Sequence, residues 1–521
     1  MSIISTIFIL FVAAAVIAYY VVPSKKRWVV ILCAGILFYA YSSIRTLCYF
    51  AITIFVTYFL AIFMQKIQEK YDTLLLAAKD KTEKKQLKAK CKKQKKLILT
   101  FALLFAFGVL AVFKYFNFVV LQISALFSIP EGSYRPVRFL IPLGISFYTF
   151  TITSYLFDVY YNKIKAEKNF AHYALFASYF PSLIQGPINR FGIMKSEFFE
   201  KEHPFVLENV QFALQRILWG FFKKMVIADR AAQVTDYIFG NYSQLPWYIV
   251  HFGLFMYAIQ QYADFAGGID VVMGVSELFG IRMQENFNQP YFSKSLGEFW
   301  RRWHISLGLW MKDYIFYPLS LSKTMLNIVK KLNNRSKYFA RVIPSCIGNL
   351  VVFLIVGIWH GAEWHFVVYG LFHGGIIAFS VLMAGVYKKG ISVCKINEQA
   401  HWWCCWQIGR TFFLVMFSGV FDYVTDMNQS LGMMRQMFNF GNGNLIKNFS
   451  YSGFGKLTLI IVFTFTAIWF FMSIQKERGI KIRLKISTFS LPVRWTIYLF
   501  LIFAIPYFQS SNLAGFLYAQ F

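Results

Sequence analysis

The sequence predicts an all-α, polytopic membrane protein, and three observations point there. Of its 521 residues 57% are apolar and 20% aromatic, against roughly 45 to 50% apolar in an ordinary soluble domain. The apolar residues gather into runs, and since about 20 residues of helix cross a hydrocarbon core, they supply about 10 to 12 membrane segments. Positive charge sits mostly in short stretches between those runs. Lys and Arg number 53 against 24 Asp and Glu, a formal charge of +29. That is the pattern of cytoplasmic basic loops that set orientation, not of a basic groove with stacking aromatics, so membrane lipid is an expected partner and nucleic acid is not.

The elements follow in chain order. Apolar runs at 3–22, 28–41, 46–64, 97–120 and 139–160 read as five spans. The first has no basic residue before it and is too long for a signal-peptide core, so it reads as a retained span. Further runs lie at 170–184, 206–228, 248–279, 344–385, 402–424, 457–474 and 495–508, several broken by Gly or Pro. Lys25, Lys26 and Arg27 follow the first span, and after the third comes 79–96, with ten lysines against Asp80 and Glu83. Two spans separate these basic stretches, which puts both on the cytoplasmic side and the N-terminus outside. The segments 323–341 and 476–494, each with six basic residues, are expected on that side too.

Three regions result: 1–138, N-terminal spans with a Lys-rich cytoplasmic loop at 65–96; 139–388, a core carrying the chemistry; and 389–521, C-terminal spans. No repeat of fixed period supports a solenoid or a simply duplicated transporter. Seven cysteines, an odd count without a CxxC, argue against a disulfide framework and for small apolar packing residues.

The stretch VVFLIVGIWHGAEWHFVVYGLFHG from Val351 sets His360, Glu363, His365 and His373 in or beside an apolar run. Ionisable groups at membrane depth are costly and are candidates for function. His360 and His365 stand about 140° apart around a helix, so they do not share a face as metal ligands would; no metal site is expected. A core imidazole satisfied by a carbonyl is the structural alternative for each histidine, and His365 and His373 are left nearer to it. His360 stands out by its place between Trp359 and Gly361 at the end of the run. There, burial keeps the ring neutral, the form that a general base requires.

A second constellation is SLGEFWRRWHISLGLWMKDYIFYPL, 295–319. Phe299, Trp300, Trp303, Leu307, Trp310, Met311 and Tyr314 fall on one arc of about 120°, an amphipathic interfacial helix. His304 lies about 20° beyond Met311, at the edge of that arc, and is expected to point into a cavity roofed by the helix. Arg301 and Arg302 fall outside the arc, where they meet either the phosphates of a donor such as coenzyme A or lipid headgroups. Upstream, Asp264 and Asp270 interrupt an apolar run around Gly267 and Gly268. They either line a polar channel or pair with a basic residue. No phosphate loop, nucleophile elbow or dinucleotide fingerprint occurs in a strand-to-helix context.

At these residues the sequence resembles the membrane-bound O-acyltransferase family. The likeness rests on FLIPLGISFYTF (139–150), FPSLIQGPINR (180–190), DFAGGIDVVMG (264–274), NFNQPYFSKSLGEFWRRWHISLGLWMKDYIFYPL (286–319) and GIWHG (357–361), in that order. Within the family it looks most like the alginate O-acetylation branch of bacterial polysaccharide acyltransferases. It has Arg301 where the teichoic-acid D-alanyl branch more usually has Asn, Tyr-Pro-Leu ending at Leu319, and the aromatic ending FLYAQF at 516–521. It departs at Gly268, where Tyr is common, and at Ser320, Leu321, Ser322 and Lys323, which replace a frequent Gly-Gly-Asn-Arg.

The resemblance implies a helical bundle around a funnel or tunnel in a bacterial plasma membrane. It implies that His360 is the catalytic residue, that His304 is a second functional position on the donor side, and that an extracytoplasmic acyltransferase partner completes transfer to a polysaccharide acceptor. The expected donor substrate is acetyl-CoA or another acyl thioester, with no permanently bound cofactor. D-alanyl transfer to teichoic acid from a carrier thioester, and a secondary transporter or flippase, are the alternatives.

Overall fold

The computed structural model describes residues 2–130, 134–424, 426–441, 455–510 and 515–516, and every regular element among them is helical. Seven of the described helices are long and apolar enough to cross a membrane: Ile44–Ala77, Lys81–Leu126, Lys337–His360, Trp364–Leu382, His401–Asp422, Lys456–Glu477 and Leu491–Phe508, with Thr6–Val21 a shorter one. Their outer faces carry exposed Phe101, Leu104, Leu457 and Phe503. In water such faces would drive aggregation; against hydrocarbon they are what a span needs. The chain is a multi-pass membrane protein.

The other expected segments are shorter, interrupted or internal. Arg27–Ser42 and Ile145–Tyr160 have 16 residues each, and the run at 170–184 divides into Phe170–Ala177 and Phe180–Leu183. The run at 344–385 is two helices broken at 361–363. Trp247–Leu278 is 32 residues long and buried on most of its surface.

The described residues form two compact units, 1–210 with 275–284, and 211–274 with 285–521. This division passes through the region 139–388 read from sequence as one core. In the first unit, 14 of the 16 residues of Ile145–Tyr160 are buried, Ser146, Thr149, Thr153, Ser154 and Asp158 among them, so the helix is internal on nearly every side. Its entry depends on Gly144 at φ 64°, where a Cβ would stand 1.9 Å from the Leu183 carbonyl oxygen.

The Lys-rich loop expected at 65–96 is instead a helical hairpin. Ile44–Ala77 runs through its first half, and Lys81–Leu126, 46 residues long, begins after three intervening residues. Lysine has good helix propensity, the Asp80 carboxylate accepts from the Thr82 amide as an N-cap, and Lys95 is buried between Gln68 and Asn162. The other nine lysines of the tract are exposed. The cysteines also differ from expectation. All seven are free thiols, but only Cys91 and Cys346 are buried; most of the rest lie exposed, two of them on the first apolar helices.

In the second unit the helix Leu207–Phe221 continues through a π-helical stretch, Phe222–Ala228, into Asp229–Gly240. It packs closely on Trp247–Leu278, since a Cβ on Gly220 would lie 2.7 Å from the Gly267 carbonyl oxygen. Charged side chains staple the same pair of helices. Lys224 Nζ lies 2.6 Å from Asp264 and 2.8 Å from Asp229, and Lys223 Nζ lies 2.6 Å from Asp270, which also meets Arg216 Nε at 2.9 Å. Of the two readings of Asp264 and Asp270, the structure therefore supports pairing with basic residues.

A candidate active site around His304 and His360

The amphipathic helix expected across 295–319 is broken where its histidine stands. Leu296–Arg302 ends, Trp303 is extended, His304 adopts a left-handed conformation (φ 45°, ψ 53°), and Ile305–Met311 begins. The break is held by a distant segment. The Asn286 carbonyl accepts from the Ile305 amide (3.0 Å), and its Oδ1 accepts from the Ser306 amide (3.0 Å) and hydroxyl (2.9 Å). These bonds satisfy the open N-terminus of the second short helix. The Asn288 amide donates to the Arg302 carbonyl at 2.9 Å, closing the end of the first.

The expected apolar arc still faces inward: Phe299, Trp303, Leu307, Trp310, Met311 and Tyr314 are buried, with Trp300 only partly so. His304 is buried, and its Nδ1–H donates to Asn286 Oδ1 at 3.3 Å, leaving the lone pair on Nε2. Phe265 packs edge-on against the ring, centroids 4.9 Å apart. Burial, and after it the neighbouring His360, push the His304 imidazole down from 6.5 to about 3. It is therefore neutral across the physiological range.

His360 is the last residue of Lys337–His360 and is 4% exposed. Its position follows from backbone contact between two helices. A Cβ on Gly357 would stand 2.4 Å from the Phe366 carbonyl oxygen, and one on Gly370 would stand 2.2 Å from that of Phe353. Gly361 leaves room for the Phe366 ring, which a Cβ would approach to 2.1 Å. Trp359 links the two candidate histidines, its ring 6.0 Å from His304 and 5.1 Å from His360.

Opposite His360 stands Asp422, the last residue of His401–Asp422, with Oδ1 3.8 Å from His360 Nδ1. Its Oδ2 accepts from the Tyr257 hydroxyl (2.7 Å) and from Gln261 Nε2, one turn apart on Trp247–Leu278. Sequence reading did not pick out Asp422, Tyr257 or Gln261; Asn286 it placed after the run that Asp264 and Asp270 interrupt, without a role. The available signal was a carboxylate closing an apolar run, which Asp422 shares with Asp264 and Asp270.

His365 is tied structurally, with Nδ1 donating to the Phe421 carbonyl (2.7 Å) and Nε2 lying 3.0 Å from Glu363. His373 is fully buried; the Trp300 indole N–H donates to its Nδ1 at 3.2 Å, and Tyr369 packs against both it and His360. The two arginines separate. Arg301 is exposed, whereas Arg302 pairs with Glu298 (2.7 Å) and Glu477 (2.8 Å). Among the described residues no group of three or more His, Cys, Asp or Glu converges as a metal would require.

Two buried imidazoles, a carboxylate and a largely apolar wall are groups that can move a proton to or from a hydroxyl or thiol. Comparison with known sequences gives that chemistry a family. The profile of the membrane-bound O-acyltransferase family matches residues 161–421, half of the chain. The chain belongs to the membrane-bound O-acyltransferase family. It is 30% identical over 456 residues to the probable alginate O-acetylase AlgI of Azotobacter vinelandii, covering 87% of this chain and 81% of that protein. The peptidoglycan O-acetyltransferase of Helicobacter pylori is 29% identical over 441 residues, 79% of this chain and 73% of its own. The teichoic acid D-alanyltransferase of Bacillus subtilis is 28% identical over 305 residues, 57% and 72% respectively. As a membrane-bound O-acyltransferase the chain is an enzyme of acyl transfer, which sets aside the transporter alternative. The C-terminal likeness at 516–521 lies, apart from Phe516, outside the described residues.

Proposed function

We propose that this membrane-bound O-acyltransferase moves an acetyl group from cytoplasmic acetyl-CoA through the bilayer of a bacterial plasma membrane, its N-terminus outside, for O-acetylation of an extracytoplasmic polysaccharide. An extracytoplasmic acyltransferase partner completes delivery to the glycan. His360 Nε2 takes the proton of the accepting hydroxyl as that oxygen attacks the thioester carbonyl carbon. The C–S bond breaks, and the imidazolium returns the proton to the leaving thiolate, so that an ester and a thiol result. His304, neutral and with its Nε2 lone pair directed away from Asn286, positions the donor or relays the proton. Arg301 meets the phosphates of the donor.

The observation that carries this reading is the burial of His360 at a helix C-terminus beside Asp422 and within electrostatic reach of His304. Positive charge grows on His360 as it accepts a proton, and the negative end of its helix dipole favours that charge. The thioester supplies the activation, so base catalysis needs to contribute only about 10² to 10⁴ in rate, with orientation adding to it.

The test uses purified protein in vesicles with radiolabelled acetyl-CoA. Thioester consumption should fall by about 10² to 10⁴ in His360→Gln; a folded variant with wild-type turnover refutes the assignment. A second reading, transfer of D-alanine from a carrier thioester, is favoured by the likeness to the teichoic acid D-alanyltransferase. Competition between the two donors decides between them.

A further inference from the structure

Among the described residues Asp422 is the carboxylate set against the candidate base, and its surroundings are unusual for a structural acid. The residue is 7% exposed, and a buried carboxylate is stable only when its lone pairs are met. Oδ2 is met twice, by Tyr257 and Gln261. Oδ1 has no hydrogen-bond partner and faces His360 Nδ1 across 3.8 Å, a gap that a small rotation of either side chain closes. Asp422 also sits at the C-terminal end of its helix, where the helix dipole opposes negative charge. Helix stability therefore gives no reason for an acid at this place.

We infer that Asp422 is a positioning residue for His360, held in place by Tyr257 and Gln261. Its Oδ1 accepts the Nδ1–H of the imidazole, which leaves the Nε2 lone pair for the proton of the accepting hydroxyl. Two donors pin Oδ2, so the carboxylate cannot turn away, and the free oxygen stays aimed at the ring. As the proton arrives on Nε2, the carboxylate offsets the new positive charge, and as it leaves for the thiolate the ring returns to the same tautomer. The inference rests on the assignment of His360 as the base.

The experiment is a double-mutant cycle on the full-length protein in vesicles, with acetyl-CoA consumption as readout and thermal unfolding as control. Asp422→Asn keeps the size and the bonds from Tyr257 and Gln261 within reach but favours the wrong tautomer. It should lower kcat by about 10- to 100-fold, less than loss of the base itself, with the KM for acetyl-CoA within about twofold of wild type. Combined with His360→Gln it should cost nothing further, because the two act as one unit. A wild-type kcat in Asp422→Asn, or a double variant slower than His360→Gln by the full Asp422→Asn factor, overturns the inference. If Asp422→Asn does not accumulate, Tyr257→Phe decides: it frees one side of Oδ2 and should lower kcat about 3- to 10-fold, again only when His360 is present. An unchanged kcat there overturns the inference as well. A fully active His360→Gln sinks the proposed function itself, which is a different failure.

Discussion

Replacing Gly357 by alanine tests how the candidate base is held. The new Cβ would lie 2.4 Å from the Phe366 carbonyl oxygen and 3.2 Å from Gly370 Cα, while ordinary contact begins at 3.4 Å. Both obstacles are backbone, so no side chain can swing aside, and the helices Lys337–His360 and Trp364–Leu382 must part locally by about 1 Å. Overpacking of this kind costs about 1 to 3 kcal/mol, against about 0.5 to 1 kcal/mol gained when alanine replaces glycine within a helix. The net loss falls between about 0 and 2.5 kcal/mol, and because both obstacles are backbone the expectation lies in the upper half of that range. His360 lies three residues on, and a displacement near 1 Å at a reacting group can cost on the order of 10² in rate. Gly375→Ala is the matched control, because nothing lies within 4 Å of its added Cβ. It should leave activity unchanged and raise the thermal midpoint slightly. Thermal unfolding in detergent and acetyl-CoA turnover in vesicles read both effects. A Gly357→Ala protein as stable and as active as Gly375→Ala would refute the claim that backbone contact sets the position of His360.

Other outcomes follow from the buried charges. Asp264→Ala removes one of the two acidic partners that Lys224 has among the described residues, and breaking a buried pair costs about 3 to 5 kcal/mol; yield and thermal midpoint should both fall, and an unchanged midpoint contradicts the pairing. His304 is held near 3 in the fold against 6.5 ordinarily, so the unfolded chain takes up a proton that the folded chain refuses. The stability from the neutral ring is therefore complete above 6.5 and is lost as pH falls toward 3. Going from pH 7 to 5 should remove about 2 kcal/mol, a loss that His304→Gln abolishes. Arg301→Ala should raise the KM for acetyl-CoA several-fold in a salt-dependent way with kcat unchanged. Arg302→Ala, which removes a residue paired with Glu298 and Glu477, should leave that KM alone and lower the thermal midpoint; equal effects of the two variants on KM would refute the separation of their roles.

Much of this was legible in the sequence, for reasons that differ by residue. His360 and His304 stand out because ionisable groups are rare in apolar surroundings, and burial of the arc from Phe299 to Tyr314 follows from helical periodicity even across a break. The break itself does not show. It depends on Asn286, whose carbonyl and side chain cap Ile305 and Ser306 from 19 and 20 positions away, and local pattern carries no trace of such a partner. Asp422 is hidden in the same way, 62 residues beyond His360 and visible only once two helix ends meet. Charge density reads the lysine tract as a solvated loop or frayed helix; nine of its ten lysines are exposed, as that reading expects, and the tract is helical because lysine is content in a helix that has a cap and a neighbour.

That tract has a mechanical consequence. A helix of 46 residues is about 69 Å long, more than twice the roughly 30 Å of hydrocarbon it must traverse. The lysines from Lys81 to Lys96 climb about 22 Å along the axis, while a headgroup layer is only about 5 to 7 Å deep. One lipid surface therefore cannot neutralise them all. Most stand in water on a stiff mast, and an anionic molecule arriving from that side enters their field before it reaches the bilayer.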